Sequence, residues 1–172
     1  MPDPTPAPPH PAAADDAALL DQCTTERTRG GGPGGQHRNK TATTVRLTHT
    51  PTGVSAQAGE RRSQAENQRK ALRRLRVKLA LHVRRDVPGE PSELWRSRSR
   101  GPRLSINPAH ADFPALLAEA LDWIEAARGD VRQAATALGV STSQLVALLR
   151  DEPAALEQVN TTRRTRGQRT LK

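Results

Sequence analysis

The sequence predicts an α+β chain in which a β-hairpin-containing sheet packs on a long basic helix, followed by a small helical module of the helix-turn-helix kind. Three observations carry that expectation. An alternating stretch at Thr43 to Thr50 is answered by Val54 to Ala58; a capped helical pattern over about 64 to 85 has one apolar and one cationic face; and short helical patterns succeed one another from Phe113 onward.

Residues 1 to 14 hold six of the 14 prolines and have little to bury, so they are expected to be a disordered Pro/Ala-rich tail. Asp15 to Gln22 reads as a short helix with Leu19 and Leu20 turned inward. Val45 and Leu47 then alternate with Arg46 and Thr48, as in a half-buried strand, and Pro51-Thr52-Gly53 turns the chain back. Ser63 with Glu66 three residues later is a capping box. Behind it Leu72, Leu75, Leu79 and Val83 recur at helical spacing, while Arg69, Lys70, Arg73, Arg74 and Lys78 fill the other face. Like charges one turn apart cost an isolated helix roughly 0.2 to 0.5 kcal/mol per pair, a penalty that a phosphate partner would reverse. Residues 15 to 85 are thus expected as one domain.

Residues 86 to 110 are rich in Pro, Gly, Ser and Arg and read as a basic linker, with Trp95 anchoring its start. An acidic helical module over 111 to 160 follows. Leu116, Leu117, Leu121 and Ile124 form a stripe that Gly129-Asp130 breaks, and a second helix over Val131 to Leu138 stops at Gly139. Ser141-x-x-Gln144 then opens a third through Leu145, Leu148 and Leu149. Residues 161 to 172 remain as a basic tail.

Composition narrows the function. Of 172 residues 34% are hydrophobic, about 41% with the 12 glycines, short of the roughly 45 to 50% of an ordinary globular domain. No run approaches the roughly 18 apolar residues of a membrane-spanning helix, and the N-terminus lacks a secretory signal, so a cytoplasmic protein without membrane contact is expected. One cysteine cannot form an internal disulfide, and five scattered histidines show no ligand spacing, so neither a metal nor another cofactor is expected. With no Tyr, one Phe and two Trp, the chain cannot stack bases on an aromatic surface.

Charge is the alternative route to nucleic acid. The formal net charge is +9, and residues 26 to 104 concentrate 19 basic against 6 acidic side chains, a net +13. The first 25 residues carry −4, residues 105 to 160 carry −5, and the last twelve carry five bases and no acid. That asymmetry, with a pI near 11.2, points to a polyanionic partner whose binding weakens with salt.

The segment Arg29-Gly30-Gly31-Gly32-Pro33-Gly34-Gly35-Gln36-His37-Arg38-Asn39-Lys40 has five glycines in six consecutive positions. Gly30, Gly32 and Gly35 satisfy a dinucleotide-loop spacing, but the polar stretch Thr24 to Arg29 precedes it, no helix pattern follows, and no acid lies about 20 residues on. A Walker loop requires Lys where Gln36 stands. What remains is a glycine-flexed loop presenting one glutamine. A carboxamide has no useful pKa, so Gln36 cannot act as a general base, but it can place a water. Its backbone N–H can stabilise charge on oxygen, and one such donor is worth on the order of 10² to 10³ in rate.

Gly34-Gly35-Gln36 within this segment, then Val45-Arg46-Leu47-Thr48-His49, Pro51-Thr52-Gly53-Val54 and Arg62-Ser63-Gln64-x-x-Asn67, resembles the catalytic domain of class I peptide chain release factors. The resemblance covers about residues 24 to 82. It implies a small release-factor catalytic domain whose partners are the large-subunit rRNA at the peptidyl transferase centre and peptidyl-tRNA, and whose activity is hydrolysis of the peptidyl-tRNA ester. Gly34 and Gly35 would permit the loop conformation, the Gln36 N–H would stabilise the transition state, and its side chain would admit water. Arg29, His37, Arg38, Asn39 and Lys40, with Arg69, Arg73 and Arg74 on the helix, would contact rRNA or tRNA. Arg38 and Arg61 stand where the family more often has an apolar residue and an acid. Family members that read stop codons carry further domains, so codon-independent rescue of stalled ribosomes by a monomer is expected here. The last twelve residues would then enter the mRNA channel, as in the small rescue hydrolases.

Two other readings stand beside this one. A ribosome-binding protein could occupy the same site without hydrolysis, and residues 131 to 150 resemble a DNA-binding helix-turn-helix. The second helix of that unit offers only Arg150 as a cation, in an acidic surrounding, so packing or partner docking suits it better than DNA reading.

Overall fold

The computed structural model describes residues 9–28 and 43–172. Two short elements open the chain. Pro11–Ala13 forms a 3-10 turn, and helix α1, Asp16–Asp21, is capped by Asp15, whose Oδ1 accepts the Ala18 N–H at 2.8 Å. Three strands follow, β1 Cys23–Thr28, β2 Thr44–His49 and β3 Ser55–Ala58, all antiparallel in the order β1-β2-β3. Alternation places Val45, Leu47, Ala56 and Ala58 on one face, where α2, Gln64–His82, covers them with Ala71, Leu72, Leu75 and Leu79. The β2–β3 hairpin and the long basic helix are therefore as the residues predict.

β1 departs from expectation. Its side chains after Cys23 are all exposed, so no alternating pattern marks it; it is held by its ladder to β2, in which Cys23 pairs with His49 and Thr28 with Thr44. α2 also ends three residues earlier than the pattern suggests. The Arg84 guanidinium folds back to donate to the carbonyls of Ala80 and Leu81, the latter at 2.8 Å, satisfying oxygens that another helical turn would have used.

The stretch that reads as a basic linker is packed structure. Helix α3, Glu93–Arg98, is followed by the paired strands β4, Ser99–Arg100, and β5, Arg103–Leu104. Trp95 is fully buried, and its Nε1 donates to the Leu138 carbonyl at 2.9 Å. The serine and arginine content hides this because one tryptophan supplies most of the anchoring. The expected disordered tail is likewise ordered from residue 9: Ala12 is fully buried, and the His10 ring caps the turn by accepting the Ala12 N–H at 3.0 Å.

Helix α4, Phe113–Ala126, lies against α2 and is buried on nearly every side. Around it stand α5, Val131–Ala137, α6, Thr142–Arg150, and α7, Pro153–Thr165. Gly139, at φ +69°, makes the tight turn between α5 and α6. One continuous apolar cluster runs from Leu19 and Val45 through Leu75 and Leu116 to Leu149 and Val159, so the sheet, α2 and the helical module share a core.

The terminal twelve residues, expected as a basic tail, are part of the folded helical module. Thr161 to Thr165 complete α7, and the chain then returns along it: Asn160 Oδ1 accepts the Leu171 N–H at 2.6 Å while its Nδ2 donates to the Leu171 carbonyl at 3.1 Å. Backbone paired in this way is docked on the helical module. Among the described residues no helix is long and apolar enough to cross a membrane.

Candidate functional site

The sheet determines where the Gly-rich segment is attached. Thr28 ends β1 and Thr44 begins β2 directly opposite it, so the connection between them leaves and re-enters the fold at adjacent positions. Arg29, Gly34, Gly35, Gln36, His37, Arg38, Asn39 and Lys40 lie in this connection, outside the described residues.

The return end is tied to the first turn of α2. Ser63 caps that helix, its Oγ accepting the Glu66 N–H at 3.4 Å, and Asn67 follows fully buried. Asn67 Nδ2 donates to the Thr43 carbonyl at 2.6 Å and to the Arg61 carbonyl at 2.8 Å, while its Oδ1 accepts the Arg61 N–H at 2.9 Å. Gly59 sits against Thr44 so closely that a Cβ there would collide with the threonine hydroxyl. Beside them Glu60 pairs with Arg74. Hydrogen bonding from its own backbone N–H, ahead of that from the Arg74 guanidinium and the Gly59 N–H, holds the Glu60 carboxyl down at about 2.

Of the three arginines expected to contact nucleic acid from α2, two have internal partners. Arg73 donates to the carbonyls of Ala109 and Pro108 at 2.6 and 2.5 Å, and Arg74 to the Gln57 carbonyl at 2.8 Å as well as to Glu60. Lys78 likewise donates to the Ser55 carbonyl at 2.9 Å. The repulsion between neighbouring cations is thus partly relieved within the fold. Arg69 has no partner among the described residues, and neither do the side chains of Arg27, Arg61, Arg62 and Lys70. These cations lie on β1, before α2 and in its first turns, at the end of the sheet where the Gly-rich segment attaches. Sequence reasoning misses Arg27, Arg61 and Arg62 as site residues because no periodic face marks them; their closeness to the capping box is the available signal.

Among the described residues no three His, Cys, Asp or Glu side chains group as a metal site, and burial pushes the Cys23 thiol up, away from its reactive form. His49 is buried between Thr52 Oγ1 and Gln22 Oε1, at 2.7 and 3.0 Å, and burial lowers its pKa, so it serves as a neutral strut. Among the described residues, the strand before the glycines is followed by its antiparallel partner β2, where a dinucleotide fold pairs parallel strands.

A three-stranded antiparallel sheet on a capped basic helix, with a Gly-Gly-Gln connection between its first two strands, defines a release-factor type of domain, and residues 20–101 match the RF-1 domain. Through this segment, a little under half of its length, the chain resembles the release-factor-like family. It is similar to peptide chain release factor 1 of Symbiobacterium thermophilum, 44% identical over 70 residues that make up 41% of this chain and 20% of the relative. It is also similar to the chloroplastic peptide chain release factor PrfB1 of Arabidopsis thaliana, 56% identical over 52 residues, 30% of this chain and 11% of the relative. Peptide chain release factor 2 of Variovorax paradoxus is 44% identical over 75 residues, 44% of this chain and 20% of the relative. The chain thus spans about a fifth of the length of these relatives or less.

In the helical module, α6 presents Thr142, Ser143, Ala147 and Arg150 outward. Arg150 is occupied by the Lys172 carbonyl, its Nε at 2.7 Å, so the exposed face of α6 retains no uncommitted cation for a DNA phosphate.

Proposed function

We propose that this protein acts on the ribosome as a peptidyl-tRNA hydrolase and releases the nascent chain without reading a codon. The observation that carries the reading is the RF-1 domain match over residues 20–101, which contains Gly34-Gly35-Gln36. In the proposed reaction water adds to the ester carbonyl, the bond to the tRNA 3′ oxygen breaks, and the products are a peptide carboxylate and a free tRNA hydroxyl. The Gln36 N–H stabilises the oxyanion and its carboxamide places the water, while Gly34 and Gly35 supply the backbone freedom. Arg69 and the unpartnered cations around it, with Arg29, His37, Arg38, Asn39 and Lys40, steer the domain onto rRNA and peptidyl-tRNA.

The test is release of labelled peptide from ribosomes stalled on mRNA without a stop codon. Gln36→Ala removes the carboxamide, and Gln36→Pro removes the N–H, a loss expected to cost about 10² to 10³ in rate. Release confined to stop-programmed complexes would overturn codon independence. Ribosome binding with no release by the wild-type chain would leave the non-catalytic reading in its place.

A further inference from the structure

We infer that Asn67 is a positioning residue for this reaction, fixing the exit of the Gln36-bearing segment through the Thr43 carbonyl. The inference rests on the function proposed above. Asn67 lies in the first turn of α2, on the same buried stripe as Ala71 and Leu75, where an apolar side chain would serve packing alone. It is instead a fully buried carboxamide that spends both Nδ2 hydrogens and its Oδ1 on main-chain groups. Thr43 is the first described residue after the Gly-rich segment, 24 positions before Asn67, so the side chain joins two distant parts of the chain at the root of the connection.

The surrounding contacts extend the hold to the other end. Arg61, gripped at both its N–H and its carbonyl, follows Gly59 by two residues; Gly59 lies against Thr44; and Thr44 pairs with Thr28, where the segment begins. A leucine at position 67 would leave the Thr43 and Arg61 carbonyls and the Arg61 N–H without these partners. A helix capped by Ser63 thereby transmits its rigidity to both roots of the segment. Because displacement of a reacting group by about 1 Å costs on the order of 10²-fold in rate, a fixed root matters to the chemistry beyond its part in stability.

The test uses the full chain with Asn67→Ala and Asn67→Asp, the second of which keeps the volume but loses both donors. A control, Leu121→Val in α4, removes a buried methylene equivalent away from the root. Single-turnover release at saturating protein is expected to fall about 10- to 100-fold in both Asn67 variants. The half-saturating concentration should change by less than about threefold, a loss confined to the bound complex. The Arg61 amide should exchange faster with solvent in Asn67→Ala, which loses its acceptor. Leu121→Val, at a comparable drop in melting temperature, should release at the wild-type rate. Equal release by the Asn67 variants and Leu121→Val would overturn the inference and leave Asn67 a purely structural residue. If the wild-type chain released peptide from no ribosomal complex, the functional reading would fail. The exchange measurement would then decide the anchor alone: faster exchange of Arg61 in Asn67→Ala, which removes its acceptor, supports it, and unchanged exchange overturns it.

Discussion

Arg84 Nη1 donates to Asp122 Oδ1 at 2.9 Å, and the same oxygen accepts the Arg85 N–H at 3.1 Å, so one carboxylate joins the end of α2 to the middle of α4. Burial raises the Asp122 carboxyl above its ordinary range, against the opposing pull of the Arg85 N–H and the Arg84 charge. A carboxyl whose pKa is raised on folding is a cost at neutral pH that lessens as pH falls through the raised value, so the bond fixes the position of α4 more than it stabilises the fold. Removing the acceptor still orphans a main-chain donor and a half-buried guanidinium. Asp122→Ala is expected to lower the unfolding free energy in urea by about 1 to 3 kcal/mol, and Asp122→Asn, which keeps an oxygen there, by less. Equal losses in the two variants would show that the acceptor is not what matters.

His10 makes the N-terminal segment sensitive to acid. Its Nε2 donates to the Val83 carbonyl at 3.2 Å and its Nδ1 accepts the Ala12 N–H at 3.0 Å, an arrangement that only the neutral ring permits. Burial is the largest cause lowering its pKa from 6.5 to about 4; the Val83 bond opposes the shift, and the Arg84 and Arg85 charges add to it. The unfolded chain therefore takes up the proton first. The contribution of His10 is complete above pH 6.5 and is lost as pH falls from there toward 4. The destabilisation caused by His10→Ala, measured from urea midpoints, should be largest at pH 7.5 and should shrink toward pH 4.5. A penalty that is the same at both ends would show that the ring titrates as if exposed.

What the residues disclose and what they hide divide along one physical line. Val45 and Leu47, Ser63 and Glu66, and the leucines of α2 sit in patterns with a fixed period, and the structure keeps to them closely. β1 has no period because its side chains face solvent, and α3 with β4 and β5 depends on one buried Trp95 among serines and arginines. α7 is a helix that the sequence reading does not anticipate, because its cationic end reads as an unfolded tail, although Glu152 and Pro153 are a start signal for it. At the candidate site, five glycines and a lone glutamine mark the segment by composition alone. Its support does not show in the same way, because Asn67 reaches Thr43, and Gly59 reaches Thr44, only after the hairpin and helix have packed.

The C-terminal residues provide a last prediction, because docking and channel threading ask opposite things of them. Asn160 is 7% exposed and holds both main-chain groups of Leu171, and Arg163 Nε donates to the Arg169 carbonyl at 2.7 Å. Truncation after Gly167 leaves the Asn160 carboxamide and the Arg150 guanidinium without those partners. It should lower the stability of the helical module by about 1 to 3 kcal/mol, read as faster amide exchange in α6 and α7 and a lower melting temperature. A free arm, by contrast, could be removed with no change in exchange or melting while release from ribosomes with an empty mRNA channel was lost. That second pattern would show that Leu171 and Lys172 leave their sites on α7 and α6 when the protein works. The first would show that the cations of the tail are carried on a fixed surface.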